Sequence, residues 1–266
     1  MTTLRKQVYH INSENRVSGT ASNFVYKLDN FPSWATHVCL VSASIPKTWY
    51  LINDNNNTFT LTEDGTDISV EITNGDYTKS SFANYLTAKL SSITQSSATY
   101  TVSKDSTSAS PETGKYTFTT DQTSYTTSFT FGTEVYQQLG FEKNTTYTFT
   151  DGTLRSVNTI NMNKENTVFL RTSLVNDFND NILTGIYSDF NSTYSSIAYQ
   201  VADVEYESRP IGNSKSNTYS FYLTDENGVP LDTNGINIVF TIVVFGKVDF
   251  QSKNLYRASE LLKIAS

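Results

Sequence analysis

One cysteine in 266 residues excludes an intrachain disulfide. It stands in THVCLVSASI, where Cys39 reads as a small buried apolar side chain rather than a nucleophile. Only two histidines are present, His10 and His37, and neither has a Cys or carboxylate at metal-ligand spacing, so neither a metal nor any other cofactor is expected. Charge is scarce too, at 17% of residues, and what there is sums to -7, with a pI near 4.9. An acidic surface with few cations does not neutralise phosphates, so no direct nucleic-acid partner is expected. Long apolar runs are missing: INIVFTIVVF at 236–245 is about half of the roughly 20 residues a membrane helix needs, and no transmembrane segment is expected. MTTLRKQVYH has no apolar stretch of the secretory kind, which points to a reducing compartment and makes chance matches of the sequons at Asn56, Asn144 and Asn191. There is no Gly-x-Ser-x-Gly elbow and no Gly-Lys-Ser/Thr phosphate loop, so no catalytic residue can be named and an enzyme is not expected.

Aromatic and hydroxyl residues are what the chain has in quantity. It carries 17 Tyr and 16 Phe, while Ser, Thr and Asn together exceed a third of the residues. That balance favours strands and turns over helices. Period-two alternation marks FVYKL (24–28), HVCLVSASI (37–45), TFTLT (58–62), ISVEI (68–72), TYTVS (99–103), KYTFTT (115–120), SFTF (128–131) and TYTFT (146–150). It continues through SVNTINM (156–162), TVFLRTSLV (167–175), SIAYQVADVEY (196–206), TYSFYL (218–223) and 236–245. Short strands in this number predict a sandwich or barrel, with 37–45 and 236–245 innermost through Cys39, Val41, Ala43 and Ile45. Residues 236–245 are apolar on both faces, and such a strand needs cover on both sides, from a loop layer or from another subunit.

One stretch is helical. In NGDYTKSSFANYLTAKL, Thr78 suits an N-cap and Phe82, Tyr85, Leu86 and Leu90 share a face, predicting a helix that lids one end of the sandwich. The polar window 104–130 is the candidate insertion or exposed loop. Asp177, Asp180 and Asp189 read as a solvated acidic loop, Ca²⁺ being the alternative, and Trp34 and Trp49 as core or interface rather than a sugar platform.

The series SASIPKTWYLINDNNNTFTL, NGDYTKSSFANYLTAKL, YQQLGF (136–141) and FYLTDENGVPLDTNGINIVFTIVVF resembles the penton, or vertex, capsid proteins of virophages, polinton-like viruses and related large DNA viruses. The likeness runs from about residue 20 to 246. It implies an all-β fold, a single jelly-roll sandwich spanning 1–266 with one or two short helices and a candidate hairpin insertion. It also implies a virion protein, assembled in the host cytoplasm or nucleus, that forms a homopentamer at icosahedral fivefold vertices beside the major capsid protein. A minor jelly-roll protein elsewhere in the shell and a carbohydrate- or receptor-binding sandwich are the alternatives. The chain ends read as arms. At the N-terminus the basic pair Arg5 and Lys6 follows Leu4; in the C-terminal arm, 247–266, the local charge is +2 and Leu255, Arg257 and Leu262 are the candidate inter-subunit contacts.

Overall fold

The computed structural model describes residues 5–104, 112–132, 135–163, 167–175, 181–187, 195–212 and 216–246. The alternating pattern first forms β1 (Lys6–Asn12), β2 (Ser18–Gly19), β3 (Asn23–Lys27) and β4 (His37–Pro46), the last ending at a proline that has no N–H for another rung. Next come β5 (Thr58–Glu63), β6 (Thr66–Glu71), helix α1 (Lys79–Ile93), β7 (Tyr100–Lys104), β8 (Tyr116–Thr120), β9 (Thr127–Phe131), helix α2 (Tyr136–Leu139), β10 (Thr145–Thr148) and β11 (Thr153–Arg155). Then follow β12 (Thr167–Thr172), β13 (Ile182–Tyr187), β14 (Ser196–Gln200), β15 (Arg209–Pro210), β16 (Thr218–Thr224) and β17 (Val239–Phe245). The chain divides into two compact units, one of residues up to Trp49 with those from Glu165 onward, the other Tyr50–Lys164.

In the first unit one sheet runs β1-β17-β4-β14, with β15 also on β4, and the other runs β13-β12-β16-β3-β2. Counting the eight main strands in chain order, the first sheet is 1-8-3-6 and the second 5-4-7-2, all antiparallel. That interleaving of two Greek keys is a jelly roll, as expected. Phe240 of the first sheet meets Phe24 and Phe221 of the second at ring-centroid distances of 6.5 and 5.2 Å, closing the core between the layers.

The innermost pair is β4 and β17, but its register departs from simple alternation. Between Thr241 and Ile242 the pairing slips, Thr241 facing Ser42 and Ile242 facing Leu40, so Val41 is an extra residue, a β-bulge. Val38, Leu40, Ala43 and Ile45 therefore join the sandwich core, whereas Cys39 packs on the outer face with Val243 and Phe245. The expectation that Cys39, Val41, Ala43 and Ile45 share one face is corrected by that single residue. The N-terminal arm is shorter than expected as well, because Lys6–Asn12 pairs residue for residue with β17. Its alternation of Tyr9 and Ile11 inward with Val8 and His10 outward is a strand signal hidden among polar neighbours.

The second unit is a sandwich in its own right. Sheet β10-β9-β5-β6 and sheet β11-β8-β7 turn Phe and Tyr inward and Thr outward, and Phe118 meets Phe129 edge-on at 5.2 Å. Helix α1 packs on β7 of this unit through Phe82, Ala83, Leu86 and Leu90, so it is a core element here and not a lid on the jelly roll. Its start is as expected: Thr78 Oγ1 accepts from the Ser81 N–H at 3.1 Å, and the Ser81 hydroxyl accepts from the Thr78 N–H at 2.9 Å. Within the 104–130 window, Tyr116, Phe118 and Phe129 are core residues of β8 and β9, and an inserted unit bounded by Tyr50 and Lys164 replaces the expected hairpin or loop. Residues 156–162 form no strand.

Val243→Asp is expected to destabilise the first unit by about 3–5 kcal/mol, since it leaves an unpaired charge under a loop. Val239→Asp, on the same strand but 46% exposed, is expected to cost less than about 1 kcal/mol. Denaturant titration of the two variants separates them; equal midpoints would mean that the outer face of β17 is not covered.

Burial raises the phenols of Tyr9 and Tyr77 and shifts four others further: Tyr100, Tyr116 and Tyr199 well above their ordinary value and Tyr219 to about 12. The folded chain holds those protons more tightly than the unfolded one, so this contribution is whole below the unfolded value near 10 and is lost as pH rises above it. Phenolate absorbance should show these four titrating only with cooperative alkaline unfolding, whereas early titration of all 17 tyrosines would contradict their burial.

Candidate interaction surface

Among the described residues, the side chains of the kinds that carry chemistry do not converge. His10 Nδ1 lies 3.0 Å from Thr241 Oγ1 on exposed β1, while His37 stacks on Phe245 at a centroid distance of 5.9 Å. Among the described residues no group of three or more His, Cys, Asp or Glu is placed to hold a metal ion. Burial, with the charges of Glu207 and Asp203, pushes the Cys39 thiol up to about 11, which suppresses the thiolate. Gly75 spends its N–H and C=O on Ile52, at 2.9 and 3.1 Å, so the turn before α1 offers no anion cradle. Trp49 is buried and Trp34 packs partly buried against the jelly-roll core.

A densely bonded polar group among the described residues is Glu63, at the inward position that follows Phe59 and Leu61 on β5. It is 3% exposed, and its carboxylate accepts from Tyr100 Oη at 2.5 Å, Thr94 Oγ1 at 2.7 Å, the Gln95 N–H at 3.2 Å and Ser96 Oγ at 3.3 Å. With its lone pairs satisfied by fixed donors and water excluded, this carboxylate fastens the turn after α1 to β5. Beside α2 a cavity of about 330 Å³ is lined by Tyr136, Gln137, Phe141, Lys143 and Asn158 among others.

An extended surface is the stronger feature. On the outer face of sheet β1-β17-β4-β14, two rows of paired residues read Asn12–Val239–Ser44–Ala198 and His10–Thr241–Ser42–Gln200. These eight positions include no Asp, Glu, Lys or Arg. The neighbouring part of the face, Cys39, Val243 and Phe245, is roofed by Val201 and Val204 from the loop after β14, so the two-sided apolar strand finds its cover inside the chain. The roof stops short of Val239 and of Val8, which is 51% exposed.

Of the contact residues expected from sequence, Arg5 is exposed just before β1 and Lys6 is the first residue of β1, opposite Phe245. Leu255, Arg257 and Leu262 lie outside the described residues, as do Asp177, Asp180 and Asp189. Sequence reading passed over Val8, took Val239 only as part of a two-sided apolar strand in need of cover, and passed over Tyr206. The first two alternate with core residues, a usable signal; Tyr206 lies in a stretch that reads as a strand continuing from β14, but the strand stops at Gln200.

No helix among the described residues is long and apolar enough to cross a membrane. No protein-family model matches the chain, and no curated protein does. Among solved structures, the crystal structure of the selenomethionine-labelled mavirus penton protein is similar over 92% of this chain and 100% of that one, with a TM-score of 0.43 and 10% identity.

Proposed function

We propose that the chain is a non-enzymatic structural protein of an icosahedral viral capsid, a jelly-roll subunit that forms the pentamer at a vertex and contacts the major capsid protein around it. The observation that carries this reading is the two-row uncharged face on β1, β17, β4 and β14 of an otherwise acidic chain. Interface centres are depleted of charge because desolvating an ion costs more than its partner returns, and a solvent-facing sheet has no such reason to avoid Lys and Glu. The virus, the vertex and the number five come from the sequence resemblance. The C-terminal stretch 247–266 serves in this reading as an arm to neighbouring capsomers, through Leu255, Arg257 and Leu262.

Mass photometry of the purified chain should show a species of five subunits. Another stoichiometry would favour a minor jelly-roll position in the shell, and a persistent monomer a binding module. In particles assembled from mixed full-length and variant chains, truncation after Phe250 and Val239→Asp should each leave a soluble folded subunit of reduced occupancy. Wild-type occupancy of both would remove the arm and the uncharged face from the assembly contacts.

A further inference from the structure

The jelly-roll unit carries two small patches of opposite charge, each centred on an exposed apolar side chain. The first is the turn after β14. Tyr206 is 89% exposed there, the highest value among the described large hydrophobic residues. It does not sit on slack chain. Asp203 Oδ1 accepts from the N–H groups of Glu205 and Tyr206 at 2.8 and 3.1 Å, and the Glu207 N–H bonds Asp203 O at 3.0 Å. Tyr199 donates its hydroxyl to Glu207 at 2.6 Å, and Ser208 Oγ donates to Glu205 O at 2.8 Å. A turn tied in this way holds its aromatic ring in water before any partner arrives, which lowers the ordering cost of binding. The same turn carries three carboxylates, Asp203, Glu205 and Glu207.

The second patch is on β1, an edge strand of the same sheet. Val8 projects from the outer face, between Lys6 and His10 on the same side of the strand, with Arg5 just before them. Asp29, next to the Asn30 carbonyl that accepts from Gln7 and Tyr9 of β1, is paired with Lys27 at 2.8 Å.

We infer that these patches bind each other between copies of this chain: the Tyr206 ring of one subunit seats on Val8 of the next, and the acidic turn faces Arg5 and Lys6. Exposed tyrosine with a charged rim is the composition of interface hot spots, and complementary charge sets the register. The patches are two different surfaces of the subunit, so a contact repeated head-to-tail around the ring uses both on every copy. The inference rests on the ring proposed above and names the contact that builds it.

Dilution of the purified full-length ring, followed by mass photometry, gives its dissociation midpoint. Tyr206→Ser and Lys6→Glu should each raise that midpoint about tenfold or more, with unchanged thermal unfolding of the monomer. Lys6→Glu combined with Glu205→Lys should bring it back towards wild type. A wild-type ring that withstands both single substitutions, or a Lys6→Glu defect that Glu205→Lys does not relieve, overturns the contact and leaves the ring intact as a reading. A wild-type chain that stays monomeric at every concentration overturns both.

Discussion

A strand that is apolar on both faces has to be central and has to be roofed, and in this chain that requirement falls on β17. Its inner side chains, Phe240, Ile242 and Val244, belong to the sandwich core. Its outer ones, Val243 and Phe245, need Cys39 beneath the same cover and Val201 and Val204 above. β4 and β1 flank it, and through β4 it fixes β14 and β15. The loop after β14 is thereby committed to crossing the outer face rather than extending the strand. Where that roof ends, the sheet changes from apolar to uncharged, first at Thr241 and then at the exposed Val239.

The second unit obeys a simpler rule. Thr faces out and an aromatic ring faces in, rung after rung, so Phe59, Phe118, Phe129 and Phe131 fill a core whose outer faces need no charge to stay wet. The rule breaks at Glu63, an inward position given to a carboxylate. Its donors come from the turn after α1 and from β7, so the exception ties helix to sheet more specifically than another Phe would.

Much of this was legible in the amino-acid order. The fold class, the innermost strand pair, the N-cap at Thr78 and the strand end at Pro46 follow from local pattern and backbone chemistry. The side of the sheet that Cys39 takes was not legible, because a bulge is decided by the partner strand and inverts every position on one side of it. β1 was hidden because an edge strand wears polar residues on its solvent side. The limits of the inserted unit were obscured for a related reason: its Thr/aromatic strands have the same period as those of the jelly roll, and only pairing tells which sheet each one joins. Of the interaction surface, Arg5 and Lys6 could be named from charge alone. Val8 and Tyr206 needed the face and the turn.

Interrupting the jelly roll between β4 and β12 also has a consequence for how the chain acquires its structure. Tyr50–Lys164 is continuous and dominated by neighbouring hairpins, so its contacts are short-range and quick to close. The jelly roll is the reverse. His10 bonds Thr241, a separation of 231 residues, and β1 and β4 have no partner in the first sheet until β14 and β17 have left the ribosome. Synthesis therefore produces a folded middle carried on an unfinished beginning, with exposed strand edges waiting for the last fifth of the chain. The uncharged face of the first sheet is completed only when β17 docks, so a subunit is unable to offer it to a neighbour before its own fold is finished.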